Sequence, residues 1–138
     1  MRVHRRAVGA AALIAFAIVL ATPTPSRADA GDISVGGVWV CRITQPALGL
    51  TVDERAVQVN KQITEALSTP KFRRGATIAV RGEGPTAKIM IDTLLIVTVT
   101  PEDIKGTTVT TMELARQWAK RLAMGLSKAL PDAEFHTF

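Results

Sequence analysis

The chain has 138 residues, 47% apolar, 21% charged and 4% aromatic, with one cysteine, two histidines and no tyrosine. That length fits one small domain and excludes a multidomain enzyme, and the apolar share excludes a disordered tail. The formal net charge is +5, but it is not spread evenly.

The first thirty residues carry much of the charge. Arg2, His4, Arg5 and Arg6 open the chain, the uncharged run Ala7 to Ala21 follows, and a Pro-containing stretch leads to Ala28-Asp29-Ala30. A basic start, an apolar run and an A-x-A site make a secretory signal peptide of bacterial style, with cleavage expected between Ala30 and Gly31. The 15-residue run is shorter than the roughly 20 residues that span hydrocarbon, so no transmembrane segment is expected in the mature chain. Arg5-Arg6 lacks the flanking residues of twin-arginine export, and no cysteine follows the run for lipidation. The expected destination is the periplasm or the medium.

Residues 1–30 hold four of the 17 basic and one of the 12 acidic side chains, so the remaining 108 residues have a net charge of only +2. No basic run there exceeds Arg73-Arg74, and the aromatics are Trp39, Phe72, Trp118, Phe135 and Phe138. A nucleic-acid partner is therefore not expected. The lone Cys41 can form no intramolecular disulfide; it reads as a buried thiol alternating with Trp39 and Ile43, or as the donor of an intermolecular disulfide.

Val35 to Ile43 is predicted as a first strand. Thr51 and Glu54 then stand at capping-box spacing, and Val52, Ala56, Val59, Ile63, Ala66 and Leu67 share one stripe of the helix they open. Thr77–Arg81 and Thr86–Asp92 are two strands around the Gly82-Glu83-Gly84-Pro85 turn. Leu94–Thr100 is the most apolar strand, expected at the centre of the sheet. Thr110 and Glu113 repeat the capping box, and Met112, Ala115, Trp118, Ala119, Leu122, Leu126, Ala129 and Leu130 form the buried face of a second helix. Pro131 ends it, and residues 131–138 are expected as a flexible tail. The order β-α-β-β-β-α predicts one α+β domain over 31–130, a two-layer sandwich with two helices on one face of a mainly antiparallel sheet.

Glu54-Arg55-Ala56, Val97-Thr98-Val99-Thr100-Pro101-Glu102-Asp103 and Leu114-Ala115-Arg116-Gln117-Trp118-Ala119 carry a likeness in order and spacing. Over roughly Val35 to Leu130 the chain resembles the small extracytoplasmic domain that precedes the membrane part of some bacterial small-conductance mechanosensitive channel-family proteins. Ile104 stands where that pattern has a small residue, and no channel sequence follows. The resemblance implies an extracytoplasmic module and supplies neither channel activity nor catalytic residues.

After residue 30 the only histidine is His136, near the C-terminus, a poor place for a nucleophile's base. Cys41 and His136 are too few for zinc, and the 82–85 glycines lack the Lys and Ser/Thr of a phosphate loop. No cofactor or metal is expected. Glu102-Asp103 is the remaining catalytic candidate; such acids also cap turns or meet an arginine. Arg55, at the edge of the first stripe, is placed to cover the core, to pair with Asp103 or to hold a ligand. Arg116, Lys120, Arg121 and Lys128 face Glu113 alone on the second helix, either as a solvated face or as a contact for anionic membrane or wall polymer. The leading expectation is an exported, non-catalytic envelope module that binds another protein or itself. The alternative is a binder of anionic membrane or cell-wall polymer through that basic face. A small hydrolase or ligand sensor using Glu102 and Asp103 is the least favoured.

Overall fold

Gly36 (φ 58°) and Gly37 (φ 77°) are both left-handed, as a two-residue hairpin turn requires. The first apolar run is therefore a hairpin rather than one strand, in the computed structural model, which describes residues 31–138. Strands β1 (Asp32–Val35) and β2 (Val38–Arg42) pair antiparallel. Ile33 faces Cys41 and Ser34 faces Trp39, so Val40 is an extra residue. This bulge breaks the alternation. Val40 and Cys41 both point into the core, whereas Trp39 is 46% exposed. The expected export signal, with Ala30, lies outside the described residues.

Helix α1 (Val52–Ser68) starts at the capping box: Glu54 N donates to Thr51 Oγ1 (3.2 Å) and Thr51 N donates to Glu54 Oε2 (2.8 Å). Ala56, Val59, Ile63 and Ala66 are buried on the predicted stripe, with Val52 and Leu67 packed at its margin. A 3-10 turn over Pro70–Arg74 anchors Phe72, 2% exposed. Helix α2 (Thr111–Ala129) repeats the capping box with Thr110 and Glu113. It buries Ala115, Trp118, Ala119, Leu122 and Leu126 and packs against strands of both sheets. Gly125 makes the contact with the hairpin possible, because a Cβ there would lie 2.4 Å from Val35 Cγ1.

The second sheet has four strands: β3 (Gly75–Glu83), β4 (Thr86–Ile91), β5 (Leu94–Val99) and β6 (Glu134–Thr137). Their order is β5-β4-β3-β6. Ile78, Ala87, Ile89, Ile91, Val97 and Val99 fill the core from one face. The molecule is α+β, with mostly antiparallel strands, as expected, although its strands fall into two sheets and run β-β-α-β-β-β-α-β in the chain.

β5 is an edge strand, not the central one, and it is apolar because α1 covers its edge. Two β5 carbonyls accept from α1 side chains: Leu95 O from Gln62 Nε2 (3.0 Å) and Thr98 O from Arg55 Nη2 (3.2 Å). Blunting an edge in this way removes a template for aggregation. The C-terminal residues are not a flexible tail. Ala133 is buried, and β6 pairs parallel with β3 through Gly75↔Glu134 to Ile78↔Thr137. Gly75 (φ 106°) permits that pairing, since a Cβ would sit 1.8 Å from Glu134 O.

Candidate interaction site

Arg55 leaves the apolar stripe of α1 and reaches the turn after β5. Its Nη1 donates to Asp103 Oδ1 and its Nη2 to Asp103 Oδ2, both at 2.8 Å. Nη1 also donates to Gln45 O (2.7 Å) and Nη2 to Thr98 O (3.2 Å). Asp103 Oδ2 further accepts from Thr100 N (2.8 Å) and Thr100 Oγ1 (3.0 Å). The two side chains are 4% and 2% exposed. A buried ion pair holds only when hydrogen bonds meet its remaining lone pairs and protons, and here they do. The cluster ties the 45–50 loop, α1, β5 and the 3-10 turn Pro101–Ile104 together.

Of the predicted site residues, the structure therefore joins Arg55 to Asp103 and separates Glu102 from Asp103. Glu102 is a surface group paired with Lys105. One carboxylate is fixed by a guanidinium and the other is solvated, which is not a cleft with two facing acids. Cys41 is buried, and burial, with the Asp103 charge, pushes its thiol up to about 12. His136 is exposed on β6, 3.6 Å from Glu134. Among the described residues no group of three or more His, Cys, Asp or Glu side chains could hold a metal ion, and no helix is long and apolar enough to cross a membrane.

Beside the Arg55 cluster lies a cleft of about 260 Å³ between α1, the edge of β5 and the 48–50 loop. Leu48, Leu50, Val59 and Leu95 give it apolar walls, and Gln58 and Gln62 give it amides. Leu50 and Gln58 continue into a shallow groove on the outer side of α1 with Val57, which is 67% exposed. The loop is a tight turn closed by Ala47 N to Leu50 O (3.1 Å) and Leu50 N to Ala47 O (3.0 Å). Leu48 (φ 56°) and Gly49 (φ 74°) are both left-handed. Leucine at φ above zero costs about 1–2 kcal/mol, and it buries little in return, being 62% exposed. The sequence reading missed Leu48; Ala47-Leu48-Gly49-Leu50 contains one glycine where such a turn needs two left-handed residues.

Arg116, Lys120 and Lys128 are exposed on α2 and form no ion pair among the described residues. Arg121 lies over the Trp39 ring, 4.9 Å from its centroid. Trp39 Nε1 donates to Asp32 Oδ1 (3.2 Å), which also accepts from Arg42 Nε (2.6 Å). Those donors, Arg42 above all, hold the Asp32 carboxyl below the usual carboxylate range.

Residues 32–129, more than half of the chain, match the profile of a sequence family described as a domain of unknown function, DUF8459. The chain belongs to the DUF8459 family. The matched span holds the hairpin, both helices, β3 to β5 and the whole Arg55–Asp103 cluster, whereas β6 lies beyond it. No curated protein and no solved structure matches this DUF8459 chain.

Proposed function

We propose that this DUF8459 protein is an exported, non-catalytic envelope module that binds another protein chain, or a second copy of itself, at the cleft between α1 and β5. Leu48 carries the reading. A strained, exposed leucine at the mouth of an apolar cleft is poorly explained by folding and well explained by contact with a partner. The cleft suits one or two apolar side chains of an extended segment, with the Gln58 amide available to its backbone. Asp103's place in a saturated ion pair supports a structural rather than an acid–base role. The signal-like first thirty residues and the likeness to extracytoplasmic domains of channel-family proteins support a place outside the cytoplasm.

Leu48→Asn tests this, because asparagine tolerates the left-handed backbone. The variant is expected to unfold at the same temperature as the wild type or above it. It should lose a partner that the wild type captures by cross-linking in envelope extract, or lose self-association in sedimentation. Identical capture and identical self-association by the two proteins would overturn the proposal.

A further inference from the structure

The solvent face of α2 is a second exposed surface, independent of the cleft. At 100° per residue, Arg116, Lys120, Met124, Gln117, Lys128 and Arg121 fall within one arc of that helix, with Glu113 at its N-terminal end. From Arg116 to Lys128 the arc runs about 18 Å at 1.5 Å per residue. Glu113 is engaged by the capping box, accepting from Thr110 N at 3.1 Å. Asp32, the nearest acid on the hairpin side, is engaged by Arg42 and Trp39. Arg116, Lys120 and Lys128 thus face outward against one acid, while the half-buried Arg121 lies over Trp39 and its Nη1 donates to Val40 O (3.5 Å). Met124 is 53% exposed within the arc, and Trp39, 46% exposed, flanks it under Arg121.

We infer that the α2 face, with Trp39 at its margin, docks the protein on an anionic phospholipid surface. Charge complementarity sets the sign of the occupant. The convex shape favours a fluid bilayer over a folded acidic protein, because headgroups move to the charges and no matching concavity is needed. An exposed indole and thioether among lysines and arginines suit the boundary between headgroups and acyl chains. The bulge at Val40 is what turns Trp39 outward, so a feature of the hairpin completes a surface built on the helix.

The test is co-sedimentation with vesicles, 30% phosphatidylglycerol in phosphatidylcholine against phosphatidylcholine alone, at low salt. The protein is taken as the cell delivers it, its N-terminus read by mass spectrometry. An Arg116→Gln/Lys120→Gln/Lys128→Gln variant with the same N-terminus cancels any contribution of residues 1–30. Wild type should bind the anionic vesicles at least about a hundredfold more tightly than the neutral ones. Each charge near the surface contributes about fivefold, so the triple variant should lose about a hundredfold, and raised salt should erase the difference. Trp39 emission should shift to the blue on anionic vesicles, and Trp39→Phe, which retains buried Trp118, should abolish the shift. Equal binding of anionic vesicles by wild type and triple variant would overturn the inference. So would binding to soluble polyglutamate with none to vesicles, which would assign the face to an acidic chain.

Discussion

Replacing Arg55 by methionine removes the guanidinium but keeps most of the volume of its stem. Asp103, 2% exposed, would then hold a buried charge with only the two Thr100 donors. The carbonyls of Gln45 and Thr98 would lose a donor each. Stranding one partner of a buried ion pair costs about 3–5 kcal/mol. In a domain of this size each kcal/mol moves Tm by about 4 °C or more, so Tm should fall by roughly 12–20 °C. Asp103→Leu should cost a similar amount, because it strands the guanidinium instead. The double change Arg55→Met/Asp103→Leu leaves neither charge, and should lose at least about 2 kcal/mol less than the two single losses added together. Urea unfolding followed by tryptophan emission, with thermal unfolding beside it, measures all three. A loss below about 1 kcal/mol for Arg55→Met, or strict additivity in the double variant, would refute the assignment of this pair as the clamp of the fold.

Trp118→Ala should cost about 3–5 kcal/mol, since the indole is 4% exposed in the core, whereas Arg116→Ala on the solvent face should be nearly neutral, both read from urea unfolding followed by circular dichroism. Gly75→Ala should destabilise and free β6, because its methyl would meet the Glu134 carbonyl; hydrogen exchange should then show lost protection at Phe135 to Thr137, with the β3–β4 pairing retained. Cys41 is neutral in the fold up to about 12, against 9.0 for a free thiol, so the folded state binds the extra proton between those values. Its contribution is complete below pH 9.0 and declines as pH rises through that window towards about 12. Unfolding free energies measured from pH 8 to 11 should fall less steeply for Cys41→Ala than for the wild type, and an unchanged slope would contradict the burial of the thiol.

Local signals were legible and long-range ones were not. Both helices followed from capping boxes and from stripes such as Ala56, Val59, Ile63 and Ala66, because their determinants lie within a turn or two. Arg55 meeting Asp103 was one of several open readings, since a charge beside an apolar stripe must be solvated or paired. The hairpin was hidden although Gly36-Gly37 stood in plain view, because the valines on either side read as one continuous β run. The bulge at Val40 left no local trace, so Trp39 was grouped with Cys41 although the two face opposite ways. β5 looked central because apolar content reports burial and not strand order; here Gln62 and Arg55, distant in sequence, cover the edge. β6 is four residues long and pairs with a strand that precedes α2, so nothing local distinguished it from a frayed end. Leu48 was missed for a different reason. Backbone strain at a non-glycine residue is a property of the folded loop, visible only as a positive φ.

The claim that this protein binds a partner chain through the α1–β5 cleft is tested most directly by photo-cross-linking in living cells. A photoreactive residue is placed at Leu48, in the mouth of the cleft, and in a parallel strain at Asn60, exposed on α1 but absent from the cleft lining. Irradiation should give one discrete higher-mass adduct from position 48 and none from position 60. No adduct at position 48, or the same adduct from both positions, would contradict the assignment of the cleft as the binding site.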